Sequence, residues 1–215
     1  YLPLDESHPQ RPVSPYGDTK LAVEKILWAA DRAHGIRSAV LRYFNASGAD
    51  PEGRIGEDHE PETHLVPNAI RAALGLGAGL KLFGTDYDTP DGTCVRDYIH
   101  VLDLADAHLL AVEYLRQGGT TNSFNLGNGQ GYSVKQVIDA VGAVSGHAVP
   151  FETGPRRPGD AAKLVGDSTR ARQTLGWDPK YPALNDIVRH AWQWHSAHPK
   201  GYGERPTIGT TSAIS

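Results

Sequence analysis

Ser14-Pro15-Tyr16-Gly17-Asp18-Thr19-Lys20, followed one helix length later by Ser38-Ala39-Val40-Leu41-Arg42-Tyr43-Phe44, sets the expectation for the fold. The Ser14 hydroxyl can accept from an exposed backbone N–H and Pro15 has the fixed φ that suits a first helical position, so a helix starts here. Leu21, Val23, Ile26, Leu27 and Trp28 give it an apolar face, and His34-Gly35 supplies a stop after about Ala33. Ser38 to Phe44 is rich in strand formers and runs into Asn45-Ala46-Ser47-Gly48, which reads as a turn. A helix feeding a strand points to α/β architecture.

Working outward, Ala49 to Thr63 is polar and holds Pro51, Gly53, Gly56 and Pro61, the signature of a long surface loop. A short helix is expected over Pro67 to Leu76, a strand over Leu80 to Phe83 and a loop through Gly92. Arg96 to Val101 reads as extended, Asp103 as the cap of a helix to Leu115, and Phe124 to Leu126 as a short strand. Ser133 should cap a helix over Val134 to Val144 that stops at Gly146, with a strand at Val149 to Glu152 beyond it. Ser168 caps another short helix, and a last one runs from Leu184 to Ala197 before Pro199 ends it. The Ser-, Thr-, Gly- and Pro-rich residues 204–215 read as a disordered tail.

With 215 residues, 39% of them hydrophobic, the chain can bury a real core. Its 21 Lys+Arg and 25 Asp+Glu are interspersed and sum to −4, which argues against nucleic acid or an anionic membrane and favours small-molecule partners. The single cysteine, Cys94, cannot form an internal disulfide, and no apolar run approaches the roughly 20 residues a bilayer requires. A cytoplasmic location is the expectation. The absence of methionine and of a signal-like start suggests a fragment.

Three stretches carry chemistry. Tyr16 and Lys20 lie four apart, so they share a helix face, and an ammonium beside a phenol favours the phenolate that a general base needs. The second stretch is Asp91-Gly92-Thr93-Cys94-Val95-Arg96-Asp97-Tyr98-Ile99-His100-Val101, and the third is Pro155-Arg156-Arg157-Pro158-Gly159-Asp160. Ser14-Pro15-Tyr16-Gly17 ahead of Lys20, with Leu41-Arg42-Tyr43-Phe44-Asn45 behind, resembles the extended short-chain dehydrogenase/reductase superfamily. The second and third stretches, with Phe124-Asn125-Leu126-Gly127 and Trp192-Gln193-Trp194-His195, are similar to the UDP-hexose 4-epimerase family over nearly the whole chain to about Tyr202.

The resemblance implies the C-terminal part of a Rossmann-type doubly wound parallel sheet with a smaller α/β substrate domain. Residues 1–45 would end the dinucleotide-binding domain and residues 46–203 would mainly form the substrate domain, with segments near 96–127 returning to the first. It further implies NAD-dependent oxidation at C4 of a UDP-hexose, rotation of the keto sugar and hydride return to its other face. Tyr16 would be the base and then the acid, Lys20 would hold the nicotinamide ribose, and Tyr43 and Phe44 would lie near the nicotinamide. Asn45, His64, Leu65, Lys81 and Phe83 would touch the sugar nucleotide. Arg96 and Arg157 would face its two phosphates, and Asp160 would accept from the uridine ribose. At Leu164 a side chain of intermediate size would admit UDP-glucose and UDP-galactose with some tolerance for N-acetylhexosamines. Family members pair through a bundle that includes the Tyr16 helix, so a homodimer is implied for the full-length form.

Bland readings stand beside these. Arg96 could pair with Asp97, and Arg156 and Arg157 with nearby acids, as solvated charges. His100 reads as structural and Cys94 as a small buried residue. His59 and His64 have no further ligands at a recognisable spacing and the implied chemistry needs no metal, so none is expected. The chain holds no Gly-x-x-Gly-x-x-Gly turn for a dinucleotide, so residues 1–215 alone should be inactive. Competing readings are an epimerase of UDP-pentoses, UDP-uronates or UDP-N-acetylhexosamines, a nucleotide-sugar dehydratase, or a non-catalytic nucleotide-sugar-binding module.

Overall fold

The computed structural model describes residues 1–77 and 79–203; the tail expected over 204–215 lies outside the described residues. The chain opens with α1 (Pro15–His34), β1 (Ala39–Tyr43), β2 (Asn45–Ser47), α2 (Leu65–Ala73), β3 (Leu80–Phe83), β4 (Val95–Arg96) and β5 (Tyr98–His100). It continues with α3 (Val101–Arg116), β6 (Asn122–Leu126), β7 (Tyr132–Ser133), α4 (Val134–Ser145) and β8 (Phe151–Gly154). The last elements are β9 (Lys163–Leu164), α5 (Thr169–Leu175) and α6 (Leu184–Ala197).

Two apolar cores organise these elements. In the first, β1 and β6 pair in parallel from Ala39↔Asn122 to Tyr43↔Leu126. Phe124 and Leu126 there meet Leu104 and Ala107 of α3, Leu175 of α5, and Trp177. In the second, Val66 and Ile70 of α2, Val137 and Val141 of α4, and Ile187 and Val188 of α6 close over Leu80 and Leu82 of β3, which pairs in parallel with β8. The β2–β5 pair, also parallel, lies between them in sequence and in contacts, since Ile99 belongs to one core and Tyr98 to the other. A three-stranded β7-β4-β9 ribbon completes the sheets.

Local signals set most helix ends. The Ser14 hydroxyl accepts from Gly17 N–H, and Gly35 closes α1 at φ 67°. Ser133 and Gln136 form a reciprocal capping box at the start of α4, and Gly146 ends that helix.

Four expectations need correction. Asn45-Ala46-Ser47 is a strand, not a turn, because Tyr98–His100 is available to pair with it. The extended run from Arg96 is broken at Asp97, and α3 already begins at Val101. The cap of α3 is His100, whose ring accepts from Leu102 N–H. Asp103 instead lies buried in the first turn and accepts from the Lys180 and Tyr181 N–H groups at 2.7 and 3.0 Å. Finally, α2 starts two residues before Pro67 and β8 two residues after Val149.

Helix α1 differs from the rest. None of its residues is buried, and Val23 and Ile26 are exposed. Of its apolar face Leu21 and Leu27 are half-buried, while Val23, Ile26 and Trp28 lie exposed.

Candidate functional site

The carboxyl ends of parallel strands collect side chains from several chain segments, which is where open α/β sheets hold ligands. Here Tyr43 ends β1, Phe44 follows it, and Asn45 opens β2, its amide Nδ2 and its backbone N–H both donating to the Asp97 carbonyl at 2.8 and 3.0 Å. Tyr16 stands near the start of α1, 72% exposed, with the Lys20 Nζ 5.2 Å from its ring centroid.

All four of Tyr16, Tyr43, Phe44 and Asn45 line one cleft of about 1220 Å³. Its far wall holds His64 and Leu65 at the start of α2, Lys81 and Phe83 of β3, and Arg96 and Arg157. Arg96 Nη2 donates to Asp160 Oδ1 at 3.4 Å and Arg157 Nε to Asp160 Oδ2 at 3.1 Å, so one carboxylate positions two guanidiniums. The Arg157 guanidinium also lies 4.8 Å over the Phe83 ring, with Lys81 Nζ 5.5 Å from the same ring. The wall therefore pairs two cations with an apolar face.

Three expected residues lie off the cleft lining. Lys20 stands beside Tyr16, Asp160 sits behind its two arginines, and Leu164 is a half-buried residue of β9 in register with Arg96. The pairing of Arg96 with Asp97 does not form. Asp97 is fully buried and accepts from the N–H groups of Asn128 (2.7 Å), Gly129 (3.1 Å) and Gly166 (3.1 Å). Burial pushes its carboxyl up from the ordinary range, against the pull of those three donors. A Cβ on Gly127 would come within 2.8 Å of Asp97 Oδ2, so this crossing of chains requires glycine there. Arg156 faces away to Asp86 and covers the Tyr87 ring.

The loop over residues 49–64 forms another side of the cleft, and two of its acids were missed in the sequence reading. Glu57 and Glu62 both line the cleft and both face His64 Nδ1, at 2.6 and 3.1 Å. Burial, then the neighbouring Glu62 charge, raise the Glu57 carboxyl from its ordinary value. The signal that could have found them is the run of residues 57–64, six titratable groups in eight residues of one long loop, among them Glu57, His59, Glu62 and His64.

The family model described as "NAD dependent epimerase/dehydratase family" matches residues 2–127. A UDP-glucose 4-epimerase of Halalkalibacterium halodurans is 55% identical over 201 residues, 94% of this chain and 60% of that protein. The UDP-glucose 4-epimerase of Brucella ovis, solved in complex with NAD, superposes with a TM-score of 0.87 at 47% identity, over 89% of this chain and 59% of that one. The UDP-glucose 4-epimerase of Bifidobacterium longum, solved with NAD+ and UDP, gives 0.88 at 38% identity, over 94% and 61%. The chain thus spans about 60% of the length of the curated relatives it matches. With more than half of its residues under that family model and parallel strands ending at a common cleft, the chain has a Rossmann-like α/β fold and belongs to the NAD dependent epimerase/dehydratase family.

Proposed function

We propose that this chain is the catalytic-helix and sugar-nucleotide-holding portion of a UDP-glucose 4-epimerase, an isomerase that interconverts UDP-glucose and UDP-galactose. The observation that carries this reading is a single cleft in which an exposed phenol faces a wall of two arginines and an aromatic ring. That wall suits a nucleoside diphosphate, with two guanidiniums for two phosphates and Phe83 as an apolar surface for the base. Tyr16 and Asn45 then face the sugar, with Tyr43 and Phe44 on its nicotinamide side.

The residues present fit the nicotinamide end of NAD, because Tyr43 and Phe44 form an aromatic wall beside Tyr16 and Lys20 at the carboxyl end of a parallel strand. The adenosine half needs residues outside these 215, in keeping with the share of its relatives the chain spans. When bound, NAD supplies reversible hydride acceptance from the sugar C4. Tyr16, with the Lys20 ammonium 5.2 Å from its ring, would take the C4 hydroxyl proton. Tyr16 would return that proton to the same oxygen of the sugar, so the proton balances over the cycle. Asp160 keeps Arg96 and Arg157 fixed on the diphosphate while the hexose turns.

We also infer that residues 1–45 and the segments near 96–127 belong to the dinucleotide-binding domain and the remainder mainly to the substrate domain. The exposed apolar face of α1 suits a homodimer of the full-length form. No helix among the described residues is long and apolar enough to cross a membrane, and we propose a cytoplasmic location. The test is to join the chain to a cofactor-binding N-terminal portion and assay UDP-galactose to UDP-glucose conversion with and without Tyr16→Phe. Loss of about 10²- to 10⁴-fold in rate, with folding unchanged, is expected for removal of a general base. An active joined protein that converts neither sugar would overturn the reading.

A further inference from the structure

The loop that walls the cleft holds donors that the sequence spacing did not reveal as a site. His59 Nδ1 lies 3.7 Å and His64 Nδ1 3.1 Å from Glu62 Oε1, and one ligand atom from each of the three residues lies within 4.8 Å of the others. Glu57 Oε1 is 2.6 Å from the same His64 Nδ1. Two imidazoles with one or two carboxylates form a donor set that zinc-like cations favour over calcium or magnesium. With metal–ligand bonds of about 2.1 Å, the edge of a tetrahedral site is about 3.4 Å, a length that the two distances to Glu62 bracket.

The surroundings support a cation. The Glu62 side chain is only 6% exposed, and among the described residues neither it nor Glu57 has a Lys or Arg ion-pair partner. The Glu62 carboxylate is held in place by the Thr63 and His64 N–H groups, both at 2.7 Å, and Glu57 is anchored by Trp194 Nε1 donating to its carbonyl at 3.0 Å. Such outer contacts orient ligands before a metal arrives.

We propose that His59, Glu62 and His64, completed by Glu57, form a binding site for a zinc-class divalent transition cation. By bridging the loop to His64 at the start of α2, the ion would hold this wall of the cleft against α2 and α6. The inference is independent of the epimerase reading, since its readout needs no turnover.

The experiment is titration of purified residues 1–215 with Co²⁺, followed by the visible absorption of four-coordinate Co²⁺, and then displacement by Zn²⁺ followed calorimetrically. One ion per chain is expected, with affinity falling more than about tenfold in His59→Ala. His34→Ala, an exposed histidine at the end of α1, should change nothing. The His59 side chain is 48% exposed, so its truncation leaves the fold intact, as circular dichroism would verify. Glu62→Gln provides a second loss of ligand charge. Absence of the Co²⁺ spectrum, or a spectrum that survives both His59→Ala and Glu62→Gln, would overturn the proposal and leave adventitious surface binding.

Discussion

Helices α1 and α6 are both legible as amphipathic in the sequence, yet α6 buries Leu184, Ile187, Val188, His190, Ala191 and Trp194 while α1 buries nothing. The periodicity of a helix states that one face needs a partner; it does not say where the partner is. For α6 the partners are α2 and α4, whose apolar side chains interlock with it around Ile70 and Val141. For α1 the described residues leave Leu21 and Leu27 half-buried at most and add contacts such as the Arg42–Glu24 ion pair at 2.6 Å. On the proposed reading, chemistry and stability are carried by different regions: the exposed helix presents Tyr16, and the packed bundle holds the wall opposite it.

The most forceful way to break this contrast is to truncate one tryptophan in each helix. Trp194 is 1% exposed, donates to Glu57 and stacks on His198 at 3.9 Å, so Trp194→Ala should cost about 3–5 kcal/mol in urea unfolding. Trp28, 37% exposed, should cost no more than about 0.5 kcal/mol in this chain. Equal losses would mean that α1 is packed after all. The same pair measured in the full-length form would sharpen the point, because a large loss for Trp28→Ala there would show that α1 gains a partner outside these residues.

A middle-sized effect lies at the seam between the two cores. His100 caps α3, its Nε2 meets His190 Nδ1 of α6 at 3.0 Å, and burial, then the His190 charge, lower it from 6.5 to about 4. The unfolded chain then takes up this proton first as pH falls. The stability contributed by neutral His100 is thus complete above pH 6.5 and is lost as pH drops toward about 4. Between pH 7 and pH 5 the loss should be about 1–2 kcal/mol, and His100→Gln should flatten that part of a urea-midpoint profile. An unchanged slope in the variant would show that other groups set it.

The smallest effect concerns capping. Ser133→Ala removes a reciprocal box from α4, a helix of the packed bundle, and should cost about 1 kcal/mol in the midpoint of global unfolding. Ser14→Ala removes the corresponding bond from α1, but a helix without buried residues can fray locally without unfolding the cores. Its effect should appear in amide exchange near Gly17 and leave the midpoint in place. A global loss from Ser14→Ala equal to that from Ser133→Ala would sink the contrast.

Much of this molecule was readable from sequence because the signals are local. Ser14-Pro15, Gly35, Ser133 and Gly146 set helix ends through their own backbone and side-chain chemistry, and the bounds of α6 were read to the residue. The motif residues were also legible as a group, and ten of the thirteen expected site residues line one cleft. Their spacing along the chain did not show that Asp160 would hold both arginines, or that Leu164 would stand off the lining.

The sequence by itself determined the ends of α1, α4 and α6, the α/β class and the chemical character of the cleft, since each follows from residue types within a few positions of one another. Tertiary structure alone decided that Asn45–Ser47 is a strand, that Asp97 and Asp103 bind backbone donors, and that Glu57, His59, Glu62 and His64 converge. The reason is physical. A β pairing between Asn45 and Tyr98, or a carboxylate on N–H groups up to 78 positions away, depends on segments whose proximity no local propensity encodes. In the loop even near neighbours needed the fold, because only its anchoring to Trp194 and to the start of α2 turns four side chains toward one point.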